Sequence, residues 1–173
     1  MQNFNPGRAI IAGFLATIVM TAMAYSAPFL GLPKTDFAAM LGSLFAQETP
    51  QPWTAPWWAG MAIHFIDGSI IFPLIYAYLL FRLLFGPAWL RGVQWGMILW
   101  LLSQAIAMPA MGVGFFSAAM PDPSLWVIGN LIGHFVYGVI LGAVAGEQAV
   151  PLPGTEREMV ESRERRHGMP DFR

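Results

Sequence analysis

The chain has 173 residues, of which 56% are hydrophobic and only 11% are charged, and its formal net charge is −1. Because soluble domains carry about 25% charged residues, this composition predicts an integral membrane protein. The small net charge excludes a general basic surface for nucleic acid. The absence of cysteine excludes disulfides, iron–sulfur clusters and zinc–thiolate sites.

Four continuous apolar runs are long enough to cross the ~30 Å hydrocarbon core of a bilayer, which takes about 20 helical residues. They extend roughly from Arg8 to Leu30, Trp57 to Phe81, Gly92 to Gly112 and Leu125 to Gly146. The first run is too long for the apolar region of a signal peptide, so we expect it to be retained. The sequence therefore predicts an all-α membrane protein with four transmembrane helices.

The positive charges near the ends of these spans predict their orientation. Arg8, Arg82 and Arg91 fall on the same side as the arginine-bearing C-terminal tail, whereas Lys34 stands alone on the other side. Positive residues are retained on the cytoplasmic side of a membrane. We therefore expect a multi-pass protein of the bacterial inner (cytoplasmic) membrane with both its N-terminus and its C-terminus in the cytoplasm.

The first outer loop contains the stretch "TDFAAMLGSLF", whose apolar residues follow helical spacing. Thr35 or Asp36 is suited to cap the start of this helix. The stretch is too short to span the bilayer. It therefore predicts an interfacial helix that lies flat on the outer face.

The sequence also contains an internal repeat. Residues 24–33, "AYSAPFLGLP", match residues 105–114, "AIAMPAMGVG", at Ala, Pro and Gly. The tetrapeptides "FAAM" at 37 and "SAAM" at 117 follow, and then the pentapeptides "HFIDG" at 64 and "HFVYG" at 134. Three landmarks in the same order indicate two tandem two-helix repeats.

We therefore divide the chain into a four-helix transmembrane domain, residues 1–147, and a polar cytoplasmic tail, residues 148–173. The first repeat covers about 8–81 and the second about 92–146. A repeat of two helices preserves membrane orientation, so a pseudo-two-fold axis along the membrane normal would relate the halves. The histidines of the two pentapeptides are then expected at similar depth on related helices.

Ionisable residues inside a membrane span are costly and are candidates for function. One hypothesis is that His64 and His134 are the axial ligands of one haem b, with Gly68 and Gly138 one turn away providing room for the macrocycle. A colourless protein that shows no Soret band after haem addition would exclude it.

A second hypothesis replaces the haem by a metal ion that is bound by His64, Asp67, His134 and Tyr137. The His-x-x-Asp spacing places both groups on one helix face. The third interpretation, which we prefer, needs no cofactor: each histidine is neutral and hydrogen-bonded within the bundle, and Asp67 pairs with a polar neighbour such as His64.

The stretches "GLPKTDFAAMLGSLF", "HFIDG", "MPAMGVGFF" and "HFVYGVILGAV" resemble a family of small four-helix bacterial membrane proteins known as a domain of unknown function. The resemblance covers nearly all of residues 8–146 and excludes the tail. It implies a four-span fold with both histidines in place. It implies no activity, substrate or cofactor, and Asp67 is not part of the family pattern.

We found no nucleophile-and-base pattern, phosphate-binding loop or HExxH motif, so the sequence does not indicate an enzyme. The primary hypothesis is a non-enzymatic accessory or scaffolding subunit of a larger bacterial membrane complex, respiratory or photosynthetic. Its partners would be the lipid bilayer and either another membrane protein or further copies of the chain. The alternatives are a bis-histidine electron-transfer or sensing protein, and a small transporter or channel that uses Asp67 and Gln104.

Overall fold

The structure, a computed structural model, describes residues 5–46, 48–146 and 161–163. Within these ranges the chain forms helices and turns, which confirms the all-α prediction. Four helices are long and apolar enough to cross a membrane, and a short helix follows the first. In chain order the helices are α1, Pro6–Leu30; α2, Phe37–Gly42; α3, Ala55–Leu80; α4, Ala88–Ala110; and α5, Pro123–Ala145.

The long helices lie within a few residues of the four predicted spans, and some of them change helix type along their length. The last turn of α1 and two connecting turns are 3-10 helical. The π-helical segments are Asp67–Ile71 and Tyr76–Leu80 in α3 and Ser103–Ala107 in α4. The predicted tail lies outside the described residues, except that residues 161–163 are helical.

Helix α5 lies between α1 and α4 and packs against both. Its face towards α4 contains glycines, and a Cβ atom at Gly138 would overlap with the backbone of Gly92. Small residues of this kind let two helix backbones come close in a membrane protein. Helix α4 is therefore the close neighbour of this glycine-containing face of α5.

The four long helices surround a gap, because α3 and α4 meet mainly at one end. Helix α1 packs against α3 and α5, so the order around the bundle is α3, α1, α5, α4. Next to the loop that joins α3 and α4, the hydroxyl of Tyr76 donates a hydrogen bond of 3.2 Å to the carbonyl of Ala88. The two helices leave a gap between them at the other end of the bundle, where α2 lies.

Asp36 connects α2 to two long helices. Its carboxylate accepts a hydrogen bond of 3.0 Å from the backbone N–H of Ala39, so it is the residue that caps α2. The hydroxyl of Tyr25 on α1 donates to the same oxygen at 2.8 Å, and the indole N–H of Trp57 on α3 donates to it at 3.2 Å. One carboxylate therefore fixes the position of α2 against α1 and α3.

Helix α2 runs antiparallel along the first half of α3, which differs from the prediction of a helix lying flat on the outer face. A Cβ atom at Gly60 would overlap with the carbonyl of Ala38, and one at Gly42 would overlap with the carbonyl of Pro56. The two backbones come this close because the residues between them are so small. As a result α2 covers the open end of the gap between α3 and α4.

Candidate binding cavity

A cavity of about 330 Å³ occupies the gap between α3 and α4. Helices α1 and α5 form its back, and α2 covers one end. Most of the lining is apolar, but seven polar side chains reach it: Thr17, His64, Asp67, Ser103, Asn130, His134 and Tyr137. Ligand sites are typically about 300–1,000 Å³, mainly apolar, with a few polar groups. The cavity has the composition of a small ligand site and lies near the lower end of that size range.

The rim of the cavity lies on the lateral surface of the bundle. Leu102 and Ile106 of α4 contribute to the lining, and the side chain of Ile106 is 63% exposed. A cavity with such a rim is reached from the side of the bundle. In a four-span membrane protein this side faces lipid chains.

His64 is held by α1 and α2. Its ring stacks on Phe37 with a centroid distance of 4.5 Å and an interplanar angle of 19°. Its Nε2 atom lies 2.8 Å from the hydroxyl of Thr21, which itself donates to the carbonyl of Thr17 at 2.7 Å. Because that hydroxyl has a single hydrogen, Nε2 of His64 must be the donor in the first bond. Neutral His64 therefore carries its free lone pair on Nδ1.

His134 is held by its own helix and has the opposite tautomer. Its Nδ1 atom is 2.9 Å from the carbonyl of Asn130, one turn earlier in α5. A carbonyl only accepts, so Nδ1 carries the hydrogen and Nε2 carries the lone pair. Nε2 has no hydrogen-bond partner among the described residues, and the side chain is 9% exposed. The cavity therefore has a nearly buried acceptor that no described residue uses.

Asp67 contributes a second unused acceptor. Its side chain lines the cavity and forms no hydrogen bond with any residue that the structure describes. The pairing with His64 that its i+3 position suggested is not made, because Nε2 of His64 binds Thr21. Neither lysine nor arginine is found among the described residues that line the cavity. The carboxyl group therefore faces the cavity without a positive partner.

The remaining predicted site residues are used in helix packing. The hydroxyl of Tyr137 donates to the carbonyl of Gly68 at 2.7 Å. A Cβ atom at Gly68 would overlap with the side chain of Thr17, so the space beside this glycine is filled by α1. Gly138 packs against Gly92 of α4 and does not line the cavity. Neither glycine provides the clearance for a macrocycle that the sequence suggested.

The structure brings the predicted ligands His64, Asp67, His134 and Tyr137 to one cavity, and it orients them differently. His134 has the arrangement usual for a metal ligand, with Nδ1–H bound to a carbonyl and Nε2 free. His64 uses Nε2 elsewhere and would have to bind through Nδ1. The described residues include no group of three or more His, Asp or Glu side chains placed to hold a metal ion. Both cofactor hypotheses stay predictions.

Sequence reasoning missed the part of the cavity that α2 builds. Phe37, Met40 and Leu41 all contribute to the lining. The helical spacing of "TDFAAMLGSLF" gave the apolar face, and the small residues Gly42 and Gly60 were the signal that this face packs inwards. Of the two residues named for a transporter or channel, Asp67 lines the cavity, whereas Gln104 is fully buried outside the lining and accepts a hydrogen bond from Ser117.

A family model described as "Family of unknown function (DUF6789)" matches residues 4–150 of the chain. No curated protein and no solved structure matches it. The comparisons thus identify a family without an assigned activity. The chemistry of the cavity is the remaining source of a functional hypothesis.

Proposed function

Since the chain belongs to the DUF6789 family, whose function is unknown, we propose a function from the cavity: a non-enzymatic, multi-pass membrane protein that binds a small, mainly apolar molecule between α3 and α4. The observation that carries this proposal is an apolar cavity of about 330 Å³ with two polar groups that have no partner among the described residues.

The apolar lining and the lateral rim support a ligand that is dissolved in the bilayer. Such a molecule enters between Leu102 and Ile106 of α4 and the facing side of α3, without passing through the headgroup layer. Apolar side chains of α1, α2, α3 and α4 then surround its body. Selection depends on the few polar groups, since an apolar wall binds lipid chains and other apolar bodies alike.

The unpaired polar groups support binding over a purely structural role. Leaving a buried donor or acceptor without a hydrogen bond costs about 1–3 kcal/mol. Nε2 of His134 is such a group, and the half-buried carboxyl of Asp67 is a second group without a partner among the described residues in the same cavity. A bound molecule that satisfies both would offset this cost, whereas a histidine that serves only to fix the bundle would be expected to use both ring nitrogens.

A cavity-filling variant tests the proposal. Ala107 lines the cavity, so Ala107→Phe should fill it, while Ala110→Phe places the same ring on an exposed position of the same helix. Each protein is purified from its native membrane in mild detergent, and the bound small molecules are extracted and identified by mass spectrometry. We expect the wild type and Ala110→Phe to retain one apolar molecule and Ala107→Phe to lose it. A wild-type protein that carries no such molecule would contradict the proposal.

A second candidate function is the accessory or scaffolding subunit of a larger bacterial membrane complex, respiratory or photosynthetic. It is supported by large apolar side chains in the turns at the α2 end, where Phe29 is 92% exposed, and Leu30 and Phe115 are also exposed. A partner membrane protein or a second copy of the chain would cover them. If mild solubilisation of native membranes yields the protein alone and monomeric, this candidate fails.

The haem version of the binding hypothesis is tested separately by absorption spectroscopy. It is supported by His134, whose free Nε2 faces no protein partner among the described residues. We expect a Soret band that is lost in both His64→Ala and His134→Ala if the two residues are axial ligands. A band that survives in His64→Ala would restrict the role to His134.

The proposal includes the two-repeat architecture and the cytoplasmic placement of both termini. Two equivalent turns support the repeat. The N–H of Gly31 donates a hydrogen bond of 3.1 Å to the carbonyl of Pro28, and the N–H of Gly112 donates one of 3.0 Å to the carbonyl of Pro109. The two glycines, like the two prolines, are aligned with each other in the sequence match. The two copies then differ, since α2 follows the first turn and a 3-10 turn follows the second. The proposed location is the bacterial inner membrane.

A further inference from the structure

We infer that the cavity selects a ligand whose apolar body carries a hydrogen-bond-donating, positively charged head, of the alkylammonium class, bound next to Asp67. This inference rests on the proposed function and specifies its ligand. It comes from the balance of donors, acceptors and charge around the cavity.

Three free polar groups of the cavity accept hydrogen bonds, while the side-chain amide of Asn130, whose oxygen accepts from Ser103, keeps N–H donors with no partner among the described residues. The carboxylate of Asp67 in its ionised form only accepts hydrogen bonds. Nε2 of His134 also accepts, because Nδ1 carries the hydrogen that binds Asn130. Nδ1 of His64 is an acceptor for the same reason, since Nε2 donates to Thr21. The hydroxyl of Tyr137 is a donor, but it is used by Gly68. A head that donates hydrogen bonds is therefore complementary to these three acceptors.

The charge balance favours a cation. Neither lysine nor arginine lies among the described lining residues, and two basic side chains outside the lining make contacts of their own. Lys34 lies over the ring of Tyr25 at 4.9 Å, and Arg8 donates to the carbonyl of Val144 at 2.8 Å. An unpaired carboxylate in a membrane interior is costly, and a paired one is less so. A ligand cation supplies the partner that the protein does not.

The shape of the cavity explains the apolar body. The acceptors Asp67 and His134 both belong to a lining that is mostly apolar, and the rim at Ile106 opens on the side of the bundle. A small inorganic cation would satisfy the carboxylate and leave the apolar walls empty. It would also lack ligands, since three or more His, Asp or Glu groups do not come together in the described part of the chain.

Three probes with the same ten-carbon chain separate head chemistry from apolar burial: decylammonium, decanol and decanoate. Their binding is measured by equilibrium dialysis against the protein in a neutral detergent, with Ala107→Phe as the blank for partition into micelles. The variants are Asp67→Asn, which removes the charge with little change of shape, and Glu48→Gln, which removes one charge from an exposed residue outside the lining. Gel filtration and thermal unfolding establish that each variant is folded.

We expect decylammonium to bind about tenfold or more tightly than decanol, because hydrogen bonds to a charged group are about twice as strong as neutral ones. Decanoate should bind most weakly. Asp67→Asn should remove the advantage of decylammonium and leave decanol unchanged, while Glu48→Gln should change neither.

Two results would overturn the inference and leave the proposed function standing, provided that Ala107→Phe abolishes the binding. In the first, decanoate binds as tightly as decylammonium. In the second, Asp67→Asn leaves the affinity for decylammonium unchanged. If no probe binds the wild type more than it binds Ala107→Phe, the proposed function itself fails. If Asp67→Asn does not fold, the order of the three probes on the wild type decides the question.

Discussion

The hydroxyl of Tyr137 on α5 donates a hydrogen bond of 2.7 Å to the backbone carbonyl of Gly68 on α3. Gly68 lies in the π-helical segment Asp67–Ile71, in which the N–H of Phe72 donates to the carbonyl five residues before it. The next donor in this register would be residue 73, which is proline and has no N–H. Tyr137 therefore supplies the hydrogen bond that Pro73 cannot, and joins the two helices beside the cavity.

This relationship predicts that Tyr137→Phe destabilises the protein by about 1–2 kcal/mol, because a buried carbonyl loses its donor. Pro73→Ala restores a backbone N–H, so it should cost less in the Tyr137→Phe background than in the wild type. The free energies of unfolding in detergent of the wild type, both single variants and the double variant give the coupling between the two positions. Additive effects would show that Tyr137 does not replace the missing N–H.

The contact between α4 and α5 predicts different outcomes for two glycine substitutions. A Cβ atom at Gly92 would overlap with the backbone of Gly138, whereas Gly129 has nothing within 4 Å of an added Cβ. Gly92→Ala should therefore destabilise the bundle by about 1–3 kcal/mol through overpacking. Gly129→Ala should be neutral or stabilising by about 0.5–1 kcal/mol, since alanine favours the helix.

Thermal unfolding of the two glycine variants in the same detergent measures this difference. The pair is matched, because each variant adds one methyl group to a glycine in the interior of a long helix. Equal melting temperatures would mean that α4 and α5 are not in close contact. That result would also place the order of the helices around the cavity in question.

Most of the fold could be predicted from the sequence, because a long apolar run has few alternatives in a bilayer. The direction of α2 could not be predicted from the sequence. It depends on contact between Gly42 and Gly60, two small residues far apart in the chain, and hydrophobic spacing alone does not show which surface an apolar face covers. The same limit applies to Gly138, because the small size of a glycine does not identify Gly92 as its neighbour.

The candidate site was predicted in part. The predicted repeat suggested similar environments for His64 and His134, and both residues line one cavity. The structure gives them opposite tautomers, because Thr21 of another helix binds His64, whereas the carbonyl of Asn130 in the same helix binds His134. Such differences come from tertiary contacts that a repeated pentapeptide does not encode.

Asp36 is predicted to hold α2 over the cavity. Asp36→Ala removes the acceptor for Ala39, Tyr25 and Trp57 together, so α2 should exchange its amide hydrogens faster and the protein should lose about 1–3 kcal/mol. Glu48→Gln, an exposed change in the loop that follows α2, is the control. Hydrogen exchange read by mass spectrometry over residues 37–45 measures the effect. Unchanged protection there would mean that backbone packing against Gly60 alone holds α2.

The proposed topology predicts opposite labelling of two single cysteines. The chain contains no cysteine, so an introduced thiol is the one site for a maleimide. Thr49→Cys lies in the loop between α2 and α3, and Leu83→Cys lies in the loop between α3 and α4; both positions are exposed. With both termini in the cytoplasm, a membrane-impermeant maleimide added to spheroplasts should label residue 49 and not residue 83, and inverted vesicles should give the reverse. Labelling of residue 83 in spheroplasts would reverse the orientation derived from Arg8, Arg82 and Arg91.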